Sequence, residues 1–184
     1  TPDLQDLINQ TPSGGTLSLP YCRFYGTIII NKPITIQANS GTVTLSNDES
    51  DGNTITIRSD NVSLNNMVVT GSGRSIAKLH SAIKVYGSQV KIKNCIISDS
   101  LFGIHLINSK NSIISNTEIS GLKALMISKR GDGIRVSGGS DNEIISNTIS
   151  DAGDGVYFDH TTNLSVKNNS VTASRYAYHV MYSD

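Results

Sequence analysis

The sequence predicts an all-β fold: a right-handed parallel β-helix (solenoid) with a short N-terminal capping helix, formed as a single β-helix domain over residues 1–184. The main observation is a strand-like phrase of Gly or Ala, an apolar residue, one spacer and a second apolar residue. It occurs at 82–85, 103–106, 133–136, 155–158 and 177–180. The last three copies start 22 residues apart. Such a period is typical of solenoids, in which each coil buries its apolar face against its neighbours.

A second phrase, an aliphatic residue followed by one spacer and Asn, also recurs once per coil. It ends at Asn66, Asn94, Asn116, Asn147 and Asn168. Asn tolerates left-handed turn geometry, and Asn side chains stacked at successive levels form hydrogen-bonded ladders. We therefore expect these five residues to stack at one corner of the coil, with a structural and not a catalytic role.

Composition excludes several classes of function. Lys+Arg and Asp+Glu number 15 each, so no net positive field favours nucleic acid or anionic lipid. No apolar run approaches membrane-spanning length, and no signal peptide is visible, although a mature secreted chain would have lost one. We expect no nucleic-acid partner and no membrane span.

Cys22 and Cys95 are too far apart in a solenoid to be assumed a disulfide, and Cys95 is expected to be free and buried.

The chain begins with the only segment that has helical periodicity, residues 1–8. Thr1 is the expected N-cap, and Leu4, Leu7 and Ile8 fall on one face, as an N-terminal cap over the open end of a solenoid requires. Short alternating runs bounded by turn residues then predict strands. These strands are expected at 16–19, 27–30, 34–36, 42–45 and 54–57, with regular coils from residue 61 onward.

Two insertions lengthen the coil, and both fall just ahead of a copy of the strand phrase. They cover residues 71–80 and 121–130, so we expect them at one lateral edge, two coils or about 10 Å apart. Loops on a rigid coil are natural recognition sites, and tolerated length variation is the alternative interpretation.

Alternation along the strand phrase predicts which side chains leave the coil. Ile104 and Leu106, with their equivalents in the next two coils, point inward, so the residues between them point outward. One exposed column is expected to contain Lys84, His105, Arg135, Tyr157 and His179. A second column beside it is expected to contain Tyr86, Ile107, Ser137, Asp159 and Met181.

Several stretches resemble one family in particular. Residues 130–135 read RGDGIR, residues 100–106 read SLFGIHL, and residues 175–184 read RYAYHVMYSD. With the opening helix, these phrases resemble the NosD family, periplasmic β-helix proteins required for the maturation of nitrous oxide reductase. Members of that family are longer, so the resemblance implies that this chain is the N-terminal part of a longer β-helix protein.

The NosD resemblance implies a periplasmic accessory protein that is not itself an enzyme. Its implied partners are the subunits of an ABC transporter, a copper chaperone and nitrous oxide reductase. Together they would deliver copper or sulfur to the copper–sulfur centre of the reductase. A docking scaffold that binds no metal is a further alternative.

The residue pattern offers one candidate copper site. His179 and Met181 lie at i and i+2 on one strand, so both project from the same face, and imidazole with thioether suits Cu(I). Asp159 lies one coil below, roughly 5 Å away. With the family resemblance, these residues predict a transiently bound copper ion. Spacing alone favours an ordinary exposed strand.

A carbohydrate-active enzyme is the alternative function. Lyases and epimerases of uronic-acid polymers need a cation to neutralise the substrate carboxylate and a Tyr or His pair to move a proton. Arg135, Tyr157 and His179 supply those groups in one column, although Asp159 is the only carboxylate in the two columns. Finally, Tyr178 and Val180 are expected to face inward on the last strand, which predicts that an uncapped C-terminal coil either self-associates or frays.

Overall fold

The computed structural model describes residues 2–48 and 51–184, which form one helix and three parallel seven-stranded sheets stacked as a β-helix. The helix, α1, spans Leu4–Gln10. The first sheet contains β1 (Thr16–Leu19), β4 (Ile34–Ala38), β7 (Val62–Asn65), β10 (Lys91–Lys93), β13 (Ile113–Ser115), β16 (Glu143–Ile145) and β19 (Ser165–Lys167). The second contains β2 (Cys22–Tyr25), β5 (Val43–Ser46), β8 (Met67–Thr70), β11 (Ile96–Ser98), β14 (Glu118–Ser120), β17 (Thr148–Ser150) and β20 (Ser170–Thr172). The third contains β3 (Ile28–Ile30), β6 (Ile55–Ile57), β9 (Ser81–Val85), β12 (Phe102–Ile107), β15 (Ile134–Ser137), β18 (Asp154–Asp159) and β21 (Tyr176–Met181).

The α1 helix covers the N-terminal end of the stack, as the sequence predicts. Its N-cap is Asp3, whose carboxylate accepts a hydrogen bond from the Gln5 N–H at 3.1 Å. Thr1, the expected cap, lies outside the described residues. Leu4 and Ile8 are buried. The Gln5 amide accepts from the Ile29 N–H at 2.8 Å and donates to its carbonyl at 3.0 Å, so one side chain satisfies backbone groups of edge strand β3.

Most predicted strands are present with shifts of one or two residues. One strand that the sequence analysis missed is β2, because Cys22–Tyr25 buries fully only Phe24 and so lacks a clear apolar alternation. Cys22 and Cys95 are both free, and Cys95 is buried, as expected. Within the described residues no helix is long and apolar enough to cross a membrane.

The predicted asparagine corner is present in four of its five positions. Asn66, Asn94, Asn116 and Asn168 all have positive φ between 48° and 57° at the turn from the first sheet to the second. They are exposed, and their role is backbone geometry and not the expected side-chain ladder.

Asn147 was wrongly assigned to that corner. The strand register pairs Ile114 with Ile144, and not with Ile145, so Ser146 takes the turn position with φ of 58°. Asn147 is therefore buried one position later. Its amide accepts from the Thr117 N–H at 3.0 Å and donates to the Ile114 carbonyl at 3.0 Å.

The core is a stack of aliphatic side chains inside the coil. In the third sheet Ile104, Ile134 and Val156 pair in successive strands and are fully buried, as predicted. Burying a side chain of this size contributes about 1.5–3 kcal/mol relative to exposing it. Phe158 is only half-buried because β18 is the last strand but one in its sheet.

Both predicted insertions leave the coil at the corner between the second and third sheets, before β9 and before β15. A further segment at the same corner, of which residues 47, 48 and 51–54 are described, precedes β6 and was missed. It touches the next insertion, since the Gly73 N–H donates to the Gly52 carbonyl at 2.7 Å. In the other insertion the Arg130 guanidinium donates to the carbonyls of Leu125 and Lys123, both at 2.9 Å. The insertions therefore line one edge of the third sheet.

Candidate functional site

The outer face of the third sheet carries the predicted column of polar residues, here called the central column. Each member pairs with the next across adjacent parallel strands, about 4.8 Å apart. The column consists of Lys84, His105, Arg135, Tyr157 and His179. In the second predicted column Ile107, Ser137, Asp159 and Met181 are also in register beside it, and Tyr86 follows Val85, which pairs with Leu106.

The N-terminal half of the central column is not exposed, contrary to the sequence prediction. Lys84 and His105 are only 5% and 2% exposed. Lys84 Nζ donates to the Lys78 carbonyl at 3.0 Å, so the 71–80 insertion folds over it. His105 Nε2 lies 2.9 Å from the Ser137 hydroxyl oxygen. Its burial, together with the charges of Lys84 and Arg135, lowers the pKa of His105 to about 3. His105 is therefore a neutral structural residue.

The C-terminal half of the column brings three functional side chains into contact. The Arg135 guanidinium carbon lies 4.1 Å from the centre of the Tyr157 ring. The Tyr157 and His179 rings meet edge to face with centroids 5.0 Å apart. The Tyr157 hydroxyl donates to Asp159 Oδ2 at 3.3 Å. Burial and the Asp159 charge raise the pKa of Tyr157 and keep the phenol protonated. These three residues form an accessible row of a guanidinium, a phenol and an imidazole.

A buried carboxylate that sequence analysis missed holds the His179 ring. Asp154 Oδ2 lies 2.7 Å from His179 Nδ1. The same carboxylate accepts two hydrogen bonds from Arg175, from Nε and from an Nη, both at 3.1 Å. Burial opposes ionisation of Asp154, but the hydrogen bonds from Arg175 and His179 outweigh it and lower the pKa of Asp154. An ionised carboxylate at Nδ1 fixes the ring and leaves Nε2 as the basic nitrogen.

A second missed carboxylate lies one coil below. Asp132 Oδ2 accepts from Arg135 Nη1 at 3.1 Å, and its side chain is 9% exposed. Burial raises the pKa of Asp132 to about 6, although the charge of Arg135 opposes the shift. Asp132 therefore orients Arg135 and titrates close to neutral pH.

Glycines explain why these carboxylates escaped the alternation argument. Alternation back from the inward Val156 would place Asp154 inside the coil. A Cβ on the intervening Gly155 would instead lie 2.5 Å from Cγ1 of Val171, so the glycine itself faces the interior of the corner. Its neighbour Asp154 therefore faces out. The repeated Asp-Gly-aliphatic triplet, 132–134 and 154–156, was the available signal.

The predicted copper ligands lie together at the end of this site. Met181 pairs with Asp159 across β18 and β21 and is 36% exposed, and His179 precedes it on the same face. Asp159 is already engaged by the Tyr157 hydroxyl and lies 3.7 Å from His160. Over residues 2–48 and 51–184, no group of three or more His, Cys, Asp or Glu side chains is arranged to hold a metal ion. Copper binding stays a prediction.

The insertions beside the third sheet carry charge of one sign. Residues 71–80 and 121–130 contain five basic residues and no Asp or Glu, although the whole chain is neutral. The five are Arg74, Lys78, Lys123, Lys129 and Arg130. The segment before β6 at the same corner carries Asp48 and Asp51, so only the part of the edge formed by the two predicted insertions favours an anionic ligand.

Comparisons with known proteins agree on the architecture. A family model described as a right handed beta helix region matches residues 34–184. No curated protein sequence matches the chain.

Among solved structures, similar folds occur in polysaccharide-active enzymes. The pectate lyase Pel9A is 14% identical with a TM-score of 0.68, covering 88% of this chain and 48% of the lyase. The alginate lyase from Paenibacillus sp. str. FPU-7 is 16% identical with a TM-score of 0.68, covering 93% of this chain and 72% of the lyase. A pectin methylesterase from Aspergillus niger is 12% identical with a TM-score of 0.55, covering 99% of this chain and 81% of the esterase. The chain thus spans about half the length of the pectate lyase.

Proposed function

This chain belongs to the right-handed β-helix family, and we propose that it acts on uronic-acid polysaccharides as a lyase or epimerase. Both reactions begin by removing the proton on the carbon next to the uronate carboxylate. The observation that carries the proposal is the buried Asp154 carboxylate, 2.7 Å from His179 Nδ1, beside Tyr157 and Arg135 on an accessible sheet face. The likeness to pectate and alginate lyases supports the proposal through the fold alone.

His179 is the proposed general base. With Nδ1 donating to Asp154, the lone pair of Nε2 is available to take the proton. The imidazolium that forms is stabilised by the Asp154 carboxylate, which stays ionised because Arg175 also donates to it. The His179 side chain is 34% exposed and so accessible to a polymer.

Arg135 and Tyr157 supply the other two roles. A guanidinium next to the substrate carboxylate stabilises the negative charge that develops when the proton leaves. In a lyase, the electron pair of the broken C–H bond forms a carbon–carbon double bond, and the glycosidic C–O bond breaks. Tyr157, whose raised pKa keeps the phenol protonated until that point, then gives its proton to the departing oxygen. In an epimerase, a proton returns to the opposite face of the same carbon.

The test is incubation with pectate and alginate in heavy water. Elimination gives the ultraviolet absorbance of an unsaturated uronate, and epimerisation leaves deuterium on the inverted carbon, visible by nuclear magnetic resonance. His179→Ala and Tyr157→Phe should each lower the rate by about 10²–10⁴-fold, the usual contribution of a positioned acid or base. Tyr21→Phe, at a tyrosine 78% exposed near the N-terminus, is the matched control and should leave the rate unchanged. Wild-type protein that gives neither product with any uronate polymer would refute the proposal.

Copper delivery, implied by the NosD resemblance, is the second candidate. It is favoured by the placement of His179 and Met181 on one face of β21. Asp154 occupies Nδ1 of the histidine, so a Cu(I) ion would bind Nε2 and the thioether. The nearby guanidinium groups of Arg135 and Arg175 disfavour a cation at this position and favour a carboxylate.

A competition titration with a Cu(I) chelator tests this second function. Tight binding that is lost in Met181→Leu and His179→Ala would support it, whereas no competition would remove it. The periplasmic location, the transporter and chaperone partners and the metal-free docking scaffold stay predictions that depend on the same experiment.

A further inference from the structure

We infer that Arg58 and Tyr86 form a distal subsite for an acidic sugar residue on the same face of the third sheet. The inference rests on the proposed function, because it assumes that the ligand is a uronate polymer. It adds a binding position at Tyr86, which lies three strand spacings, or about 14 Å, from Asp159 toward the N-terminal end of the coil. Asp159 is the residue that accepts the hydrogen bond of the Tyr157 hydroxyl. The polymer would then lie across the strands, along the axis of the coil.

The two residues are held together at the ends of adjacent strands. β6 and β9 pair Ile57 with Val85, so Arg58 and Tyr86 follow directly at equivalent positions. The Arg58 guanidinium carbon lies 4.7 Å from the centre of the Tyr86 ring. Tyr86 remains 40% exposed, and its N–H donates to the Ile57 carbonyl at 2.8 Å, which fixes the backbone.

The chemistry of the pair fits a sugar acid. An exposed aromatic ring provides an apolar face for the C–H groups of a pyranose, with little conformational entropy to lose. A guanidinium provides planar donors that match a carboxylate, and stacking on the ring restricts its orientation before the ligand arrives. The pair thus offers both an apolar face for the sugar ring and planar donors for its carboxylate.

The position of the pair connects it with the catalytic row. Val85 pairs with Leu106, so Tyr86 continues the second column toward Ile107, Ser137 and Asp159. The same stretch of sheet lies beside the 71–80 insertion, in which Lys78 adds positive charge and Arg74 is paired with Asp99 at 3.4 Å. A polymer that crosses from Tyr157 to Tyr86 would therefore have a guanidinium at each end of its path, Arg135 at Tyr157 and Arg58 at Tyr86.

The experiment measures the affinity of oligouronates of increasing length by calorimetry. All proteins carry His179→Ala, so the proposed proton abstraction does not consume the ligand. Into this background we introduce Tyr86→Ala, Arg58→Gln and Tyr86→Phe. Tyr25→Ala, at an exposed tyrosine on the second sheet, is the matched control.

A distal subsite predicts an effect that depends on chain length. Tyr86→Ala should weaken binding of long oligouronates about tenfold, a loss of 1.4 kcal/mol, and leave the shortest ones unchanged. Arg58→Gln should act in the same way, while Tyr86→Phe and Tyr25→Ala should match the parent protein.

Other outcomes separate the two proposals. The subsite is overturned if the Tyr86→Ala variant binds oligouronates of every length as tightly as the parent protein does. It is also overturned if Tyr86→Ala weakens binding by the same factor at every length. In either case, uronate turnover by the wild-type protein would leave the proposed function standing. If wild-type protein neither binds nor turns over any uronate polymer, the proposed function fails and the subsite with it.

Discussion

Replacing His105 should make the protein less sensitive to acid. The pKa of His105 is about 3 in the folded chain and 6.5 in the unfolded chain, so the unfolded chain binds more protons between those values. Its contribution to stability is therefore lost as the pH falls. From pH 7 to pH 4 the linkage relation gives a loss of about 3 kcal/mol from this one residue.

Asp132 acts in the opposite direction over the same range. Its pKa is about 6 in the folded chain and 3.8 in the unfolded chain, so the folded chain binds more protons and gains stability as the pH falls. The gain from pH 7 to pH 4 is about 2 kcal/mol. In the wild type the two contributions oppose each other and leave a net loss of about 1 kcal/mol, and removing His105 leaves the Asp132 contribution unopposed.

The assay is urea unfolding, followed by circular dichroism, of the wild type and His105→Gln at pH 7 and pH 4. When the pH falls from 7 to 4, the free energy of unfolding of the variant should rise by about 3 kcal/mol relative to that of the wild type, whatever its value at pH 7. His160→Gln is the control, because the His160 side chain is 69% exposed. If the unfolding free energies of the variant and the wild type differ by the same amount at both pH values, the reasoning is refuted.

Four further predictions concern packing and the site. Ile134→Ala removes a fully buried side chain and should cost about 2–5 kcal/mol in urea unfolding, and a cost below 1 would contradict the assigned core. Gly155→Ala places a Cβ 2.5 Å from a methyl of Val171 in β20 and should destabilise the fold by about 1–3 kcal/mol. An unchanged midpoint of urea unfolding would contradict the packed corner. Asp154→Asn should reduce uronate turnover at least about a hundredfold while circular dichroism shows the fold intact, because His179 loses its anionic partner. Val180 is 51% exposed on the edge strand β21, so light scattering should show concentration-dependent self-association that Val180→Lys abolishes; a monomer at all concentrations would remove this prediction.

The regular part of the molecule was predictable from sequence because each sequence period of a parallel β-helix forms one coil. Residues one period apart become hydrogen-bonded neighbours, so the spacing of the strand phrase alone placed Arg135, Tyr157 and His179 in one column. The positive-φ corner at Asn66 and its equivalents followed from the same repeat. A shift of one residue at Ser146 was enough to misplace Asn147, since periodicity does not distinguish Ile144 from Ile145.

Only the tertiary structure decided which members of the column are accessible and what holds them. Lys84 is buried because an insertion without periodicity folds over it, and the path of such a loop is not encoded in any local pattern; His105, next to Lys84 in the column, is also buried. Asp154 faces His179 because the glycine after it packs into a corner, which breaks the alternation on which the sequence argument depended. The repeat therefore determined the row of candidate residues, and the corner packing determined that one of them is a histidine held by a buried carboxylate.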